Sequence, residues 1–147
     1  MIRRVGEAVR ADRTYRHRPG AYAILVRGRE VLLTWQEGDA LGLQLPGGGI
    51  DPGEQPLAAL HREVFEETGW RIAAPRRLGA FRRFNYMPDY GYWAEKVCHV
   101  YLARPVRPHG PPRETGHVAL WMPLHQAAER LDDRVGRGFV DAIARSL

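Results

Sequence analysis

The sequence predicts an α/β fold in which a mixed β-sheet is sandwiched between α-helices. Short segments rich in β-forming apolar residues lie on both sides of one central segment with helical periodicity, and a second helical pattern ends the chain. Strands on both sides of a central helix suggest a sheet that is covered on both faces. A chain of 147 residues with 44% hydrophobic residues is long enough for one compact core. We therefore expect a single domain over residues 1–147, with residues 1–19 as an N-terminal arm.

The first half of the chain predicts a hairpin, a bent loop and a helix. Residues 21–26 and 31–36 are rich in β-forming side chains and flank the turn sequence Arg-Gly-Arg-Glu. Residues 45–53 contain too much glycine and proline for regular structure and predict a tightly bent loop. A helix is expected from about Gln55 to Thr68, because apolar residues recur there at helical spacing between an early proline and a final glycine.

The second half predicts a longer hairpin followed by two helices. Two β-rich segments flank a turn, and sequence rich in proline and glycine then indicates a loop before a last strand. The predicted elements are strands at 77–86 and 92–103 around a turn at 87–91, a loop at 104–115, a strand at 118–122 and helices at 125–131 and 135–147.

The composition points away from membranes and from secretion. No stretch of about 18 apolar residues occurs, and the arginine-rich first 20 residues lack the apolar segment of a signal peptide. The one cysteine, Cys98, cannot form an internal disulfide, and its alternating apolar neighbours predict a buried position in a strand. We expect a reducing, cytoplasmic setting and no membrane partner.

Nearly all the positive charge is carried by arginine. The formal net charge is +5, and Lys96 is the only lysine among 22 basic residues. Guanidinium groups suit bidentate contacts with phosphate, although solvated surface positions explain most of these side chains equally well. A modest basic excess is compatible with a nucleotide, RNA or another anionic ligand, and it selects none of them.

Three glutamates on the predicted helix are the first sign of chemistry. Glu63, Glu66 and Glu67 stand at positions i, i+3 and i+4, so their side chains converge. Like charges at these spacings cost about 0.2–0.5 kcal/mol per pair on an exposed helix, and a bound cation would relieve that repulsion. Carboxylate oxygens suit Mg²⁺ or Mn²⁺. Taken alone, three such glutamates more often form an ordinary solvated face.

The loop before the helix favours a ligand site. Glycines at positions 47–49 let the backbone approach the foot of the helix closely, where a carbonyl could ligate a cation and N–H groups could meet an anion. Loop and helix together follow the pattern Gly48-x5-Glu54-x7-Arg62-Glu63-Val64-x-Glu66-Glu67-x-Gly69-Trp70. This pattern resembles the Nudix box, and all seven fixed residues of the box are present.

The resemblance implies the Nudix fold over about residues 20–131, within a single Nudix hydrolase domain. The pattern departs from the family at Trp70, where Ile, Leu or Val is usual. Because tryptophan is also large and apolar, we expect altered packing at the helix exit and no loss of chemistry.

The resemblance also implies roles for the acidic residues of the box. Glu63, Glu66 and Glu67, with the Gly48 carbonyl, would hold Mg²⁺ or Mn²⁺. Glu63 is our first choice for the base that accepts a proton from water. Glu114, in the loop before the last strand, is the alternative base and a further candidate ligand, although a solvated loop acid explains it equally well.

Two further box residues are expected to support the catalytic group. The resemblance implies that Arg62 orients a glutamate of the box. It also implies that Glu54 supports the geometry of the loop and the helix. We therefore count both among the catalytic candidates.

Substrate-binding candidates come from the second predicted hairpin. Tyr86 and Trp93 could stack on a nucleobase, although alternating aromatic residues in strands more often pack against each other. Arg82 and Arg83 could clamp a distal phosphate. Because adjacent strand residues face opposite ways, at most one of these arginines is expected to point into the cleft.

The expected function is metal-dependent hydrolysis of a phosphoanhydride bond in a nucleoside diphosphate linked to another moiety, such as a nucleoside triphosphate, a dinucleoside polyphosphate or ADP-ribose. The metal would neutralise negative charge on the bridging oxygens of the phosphoanhydride and activate water, while a carboxylate accepts the proton from that water. Two alternatives stay open: an RNA 5′-pyrophosphohydrolase, and a non-catalytic Nudix module that binds nucleotides or nucleic acid. The expected partner is a small-molecule nucleotide or an RNA 5′ end, and the oligomeric state is open, with a homodimer among the options.

Overall fold

The computed structural model describes residues 2–37, 42–131 and 134–147. Within these residues the chain forms eight strands and three helices. In chain order they are β1 (Arg3–Val5), β2 (Tyr15–Arg27), β3 (Glu30–Gln36), β4 (Leu43–Gln44), β5 (Gly47–Gly49), α1 (Pro56–Thr68), β6 (Trp70–Met87), β7 (Tyr92–Pro108), β8 (His117–Pro123), α2 (Leu124–Arg130) and α3 (Arg134–Ser146). The predicted α/β class is confirmed. None of the helices in the described part is long and apolar enough to cross a membrane.

Strand β2 is the centre of a mixed sheet. It pairs in parallel with β7 and antiparallel with β5, and its end forms the predicted hairpin with β3. The second predicted hairpin consists of β6 and β7, with β1 parallel to β6 at its edge. The strand order is β1-β6-β7-β2-β3-β4, with β5 attached to β2 and β8 attached to β3.

Helices cover both faces of this sheet, as predicted. On one side, which we call the α1 face, Ala21 and Leu25 of β2 pack in one apolar cluster with Leu60 and Val64 of α1. On the opposite side, the α2–α3 face, the helices α2 and α3 enclose a second cluster. Its members include Ile24, Phe81, Cys98, Val100, Leu124 and Val140. Cys98 is thus buried in a strand, which confirms the expectation.

Helix α1 begins and ends where the sequence predicts. Gln55 has an extended backbone, and Pro56 is the first helical residue. At the other end Gly69 has a φ of 76° and donates its N–H to the Phe65 carbonyl at 2.8 Å, a left-handed turn that glycine adopts without strain. A side chain on Gly69 would also overlap the Gly110 carbonyl, so glycine lets the later chain pass close to the helix end.

Three glycines that were expected in a loop form a strand. Gly47–Gly49 pairs antiparallel with β2. Gly47 has a φ of 151°, and a side chain there would overlap the Ala21 carbonyl, so only a bare backbone can come this close. The prediction of an irregular loop over residues 45–53 was therefore wrong at these three positions, because the close approach that glycine allows produced strand pairing.

The remaining strands are longer than their apolar patterns predict. β2 begins at Tyr15, so part of the predicted arm, residues 1–19, belongs to the sheet, as does β1. β6 begins at Trp70, and β7 runs to Pro108, inside the predicted loop. Parallel pairing with β7 extends β2 over polar residues, and register shifts disturb the alternation at the start of β6, where Ala74 has a φ of 52°. The alternation of apolar and polar residues in the sequence therefore predicts only the regularly paired part of each strand.

Candidate active site

The glutamates of α1 converge on the loop before β8. Carboxylate oxygens of Glu63, Glu66 and Glu114 lie within 4.8 Å of one another. A second group with the same spacing consists of Glu67, Glu114 and His117. The structure thus brings together, from two separate segments, the four carboxylates proposed as metal ligands. Such spacing suits a divalent cation with oxygen ligands.

Backbone hydrogen bonds hold this loop against the end of α1. The Glu66 carbonyl accepts hydrogen bonds from the N–H groups of Arg113, at 2.9 Å, and Glu114, at 3.1 Å. The last carbonyls of a helix have no partners within the helix, so the loop satisfies one of them. As a result, Glu114 is fixed beside the box glutamates.

Strand β5 lies directly beside two of the glutamates. A side chain on Gly48 would overlap the Glu63 carboxylate, and the Gly47 N–H donates to the Glu67 carboxylate at 3.4 Å. The Gly48 carbonyl, the expected backbone ligand, lies beside Gly20 of β2. The absence of side chains at positions 47 and 48 therefore lets the glutamates reach the backbone of β5.

Arg62 connects the loop and the helix through its guanidinium group. Nε and Nη2 donate to the two carboxylate oxygens of Glu54, each at 2.8 Å, and Nη2 also donates to the Gly49 carbonyl at 3.0 Å. Nη1 donates to Glu63 at 2.8 Å and lies 3.5 Å from Glu66. Glu54 thus holds one side of the guanidinium while the other side contacts two box glutamates, as an orienting residue would.

Charge and burial shift the pKa values of this cluster in opposite directions. Hydrogen bonds from Arg62 lower the pKa of Glu54 to about 2. Burial raises the pKa of Glu63, against the opposing effect of Arg62. Burial also raises the pKa of Glu67 to about 9, and the charges of neighbouring glutamates act in the same direction. A cation among these groups would favour their ionised forms, so the residues fit Mg²⁺ or Mn²⁺.

The structure separates the two arginines that were proposed to clamp phosphate. Arg82 lies on the α1 face and lines a cavity of about 610 Å³. Arg83 lies on the α2–α3 face. The buried hydroxyl of Tyr22 lies on that face too. Its pKa is raised by burial, by Cys98 and by two α1 glutamates, and is lowered by Arg83. Of the two arginines, Arg83 is thus the one whose charge acts on Tyr22, a residue that two α1 glutamates also affect.

The two aromatic candidates lie far from the glutamates. Tyr86 and Trp93 are on the α1 face, with their ring centres 5.4 Å apart. Trp93 lies six positions along β7 from His99, which pairs with Ala21 beneath α1, and at about 3.3 Å per residue this is roughly 20 Å. The structure therefore does not bring Tyr86 and Trp93 to the glutamates of the box and Glu114.

The sequence analysis missed two residues of the site, Tyr22 and His117. Tyr22 lies within an apolar strand segment, where an aromatic residue signals packing and nothing more specific. His117 follows Glu114 by three positions. Its Nε2 lies 2.8 Å from the Glu114 carboxylate, and a search for histidines near the proposed loop acid would have found it.

Curated relatives of this chain are named as hydrolases. A protein of Streptomyces rubellomurinus, named CMP-5′-(N-acetyl-N-hydroxy-3-aminopropyl)phosphonate hydrolase, is 35% identical over 136 residues, which cover 88% of this chain and 62% of that protein. An RNA pyrophosphohydrolase of Mesorhizobium japonicum is 64% identical over 28 residues, which cover 19% of this chain and 16% of that protein. The chain thus spans less than two thirds of the length of these relatives.

The fold also has solved counterparts. A MutT protein from Bacillus halodurans matches with a TM-score of 0.71 and 19% identity, over 86% of this chain and 82% of that chain. This likeness shows the α/β Nudix fold that the sequence predicts. The family model described as the NUDIX domain matches residues 16–142, which is most of the chain. This chain therefore belongs to the NUDIX domain family.

Proposed function

We propose that this chain is a divalent-metal-dependent hydrolase that cuts a phosphoanhydride bond in a nucleoside diphosphate linked to another moiety. The observation that carries the proposal is the convergence of Glu63, Glu66 and Glu114 within 4.8 Å, from a helix and a separate loop. A solvated acidic face would not need a loop that is hydrogen-bonded to the end of the helix, as residues 113–114 are.

The chemistry divides between the cation and the side chains. When bound, Mg²⁺ or Mn²⁺ supplies charge that neutralises the bridging oxygens and favours ionisation of water. Glu63 accepts the proton from the attacking water, because it is half-buried, oriented by a hydrogen bond from Arg62 and next to the Gly48 backbone. Glu114 is the alternative base, since it belongs to the same group of oxygens.

Substrate contacts are proposed on the α2–α3 face. Arg83 would bind a phosphate there, since its charge acts on Tyr22, which two α1 glutamates also affect. A nucleotide joined to a second phosphorus group agrees with the name of the Streptomyces relative. Nucleoside triphosphates, dinucleoside polyphosphates and ADP-ribose remain candidates of the same class.

An RNA 5′ end is a second candidate substrate, and arginine–aromatic pairs on both faces of the sheet favour it. Arginine side chains lie over aromatic rings near the turn between β6 and β7, an arrangement typical of surfaces that bind single strands. The pairs are Arg13 over Trp93, Arg16 over Tyr92 and Arg18 over Tyr90, with guanidinium carbons 4.8, 4.7 and 4.8 Å from the ring centres. The short match to the Mesorhizobium RNA pyrophosphohydrolase supports the same alternative.

A substrate panel tests the proposal. The purified chain with Mg²⁺ is incubated with nucleoside triphosphates, a CMP-linked phosphonate, dinucleoside polyphosphates, ADP-ribose and 5′-triphosphorylated RNA, and phosphorus NMR in ¹⁸O-water identifies the cut bond. We expect the wild type to hydrolyse at least one of these substrates. Glu66→Gln should remove this activity, whereas Glu129→Gln, which changes an exposed glutamate of α2, should preserve it. Binding of nucleotides without turnover of any substrate would instead indicate the non-catalytic module.

A further inference from the structure

His117 lies beside the glutamate cluster although the box does not contain it. Its side chain is only 11% exposed, and its Nε2 lies 2.8 Å from a Glu114 oxygen. Its Nδ1 is buried and has no hydrogen-bond partner in the part of the chain that the structure describes. Nε2 is thus the nitrogen within reach of the carboxylates, and it can exchange its contact with Glu114 for a bond to a cation held by the same carboxylate.

The position of His117 is fixed from both ends of its loop. At one end the Glu66 carbonyl accepts hydrogen bonds from residues 113 and 114, and at the other His117 pairs with Gln36 of β3. Glu37 also donates its N–H to the Gly116 carbonyl at 2.8 Å. Glu114 and His117 are therefore held in place by backbone contacts before any ligand binds.

Glu67, Glu114 and His117 each present a ligand atom within 4.8 Å of the other two. Metal–ligand distances near 2.1 Å place the ligand atoms of one ion roughly 3–4 Å apart. Small movements of these three side chains would therefore bring their ligand atoms to the spacing that one ion requires. This group shares only Glu114 with the group that contains Glu63 and Glu66. The two groups therefore define two neighbouring cation positions that share the Glu114 carboxylate.

We propose that His117 is a metal ligand, and that it holds a second divalent cation together with Glu67 and Glu114. The inference rests on the metal dependence in the proposed function and goes beyond it by assigning a nitrogen ligand. Imidazole suits transition metals, whereas Mg²⁺ takes oxygen ligands. The His117 position therefore selects Mn²⁺ over Mg²⁺, and the position with Glu63 and Glu66 accepts both.

Pulsed electron paramagnetic resonance of Mn²⁺ bound to the EDTA-treated, full-length chain tests the ligand directly. We expect ¹⁴N coupling from a bound imidazole, replaced by ¹⁵N coupling in wild-type protein grown with ¹⁵N-histidine. The coupling should vanish in His117→Gln and in a second variant, His117→Asn. It should persist in the control His125→Gln, which changes an exposed histidine of α2.

The outcomes separate this inference from the proposed function. Mn²⁺ that binds the wild type without nitrogen coupling, or coupling that survives both His117 variants, would overturn the inference and leave metal-dependent hydrolysis intact. Absence of Mn²⁺ binding to the wild type would overturn both. Calorimetric titration with Mn²⁺ measures the number of binding sites. We expect two sites in the wild type and one in His117→Gln.

Discussion

At the scale of single residues, the hydrogen bonds of Arg62 link the carboxylates of the site. Its guanidinium donates to both oxygens of Glu54, to the Gly49 carbonyl and to Glu63. Bidentate hydrogen bonds of this kind add geometric specificity to charge attraction, and the shorter neutral amide of glutamine cannot replace them. The family pattern predicts an orienting role for Arg62, and the fold adds the hydrogen-bond partners and distances that such a role requires.

We expect Arg62→Gln to lower kcat by roughly ten- to a thousandfold with little change in KM, because the variant misplaces a catalytic carboxylate and leaves the substrate contacts intact. Steady-state kinetics checks this, with Arg130→Gln, an exposed arginine of α2, as the matched control. A variant with unchanged kcat and a raised KM would assign Arg62 to substrate binding.

Acid stability should depend on Glu54. Hydrogen bonding by Arg62 lowers the pKa of Glu54 from an ordinary 4.5 to about 2 in the folded chain. Its ionised form therefore stabilises the fold above pH 4.5, and that stabilisation is lost as the pH falls towards 2. We expect the difference in Tm between wild type and Glu54→Gln to narrow over this range. A difference that stays constant from pH 6 to pH 2 would contradict the ion pair.

Glu67 should have the opposite effect on the metal-free protein. Burial raises its pKa to about 9, so ionisation opposes folding increasingly as the pH rises from 4.5 towards 9. Glu67→Gln should raise the Tm of EDTA-treated protein, more at pH 8 than at pH 5.

The same variant should lose at least about a hundredfold in turnover, because it removes a metal-ligand charge. A lower Tm of the variant at pH 8 would contradict the effect of burial on Glu67, and wild-type turnover would place the metal elsewhere.

At the scale of elements, the helix was predictable and the strand beside it was not. Pro56 and Gly69 mark the ends of α1 by backbone properties that act locally. Strand β5 forms because three glycines approach β2, a contact between distant segments that composition alone describes only as a bend. Likewise, parallel pairing extends β2 back to Tyr15 without any apolar alternation.

The close contact between β5 and α1 predicts the effect of a single methyl group. Gly48→Ala would place its Cβ on the Glu63 carboxylate, which must then move. We expect at least about a tenfold loss in turnover with the fold retained, because small displacements of a catalytic group are costly. Gly138→Ala in α3 is the control, since its Cβ would meet no atom within 4 Å. Wild-type turnover in Gly48→Ala would exclude Glu63 from a rigid catalytic position.

At the scale of the whole molecule, the sheet decides which predicted residues can act together. The sequence predicted a sheet covered on both faces and opposite directions for Arg82 and Arg83. It did not predict which helices cover which face, and that depends on the register of β2, β6 and β7. The same register carries Tyr86 and Trp93 to the far end of the hairpin. Carboxylates on one helix were therefore predictable as a group, whereas substrate contacts from other strands were not.

The turnover of EDTA-treated protein tests the central claim most directly. Converging carboxylates of α1 and Glu114 without a compensating cation repel one another, so the site should work only when a divalent ion is bound. After dialysis against EDTA, we expect no hydrolysis of the substrate found in the panel, and full recovery when Mg²⁺ or Mn²⁺ is added. Full activity of the metal-free protein would contradict the account.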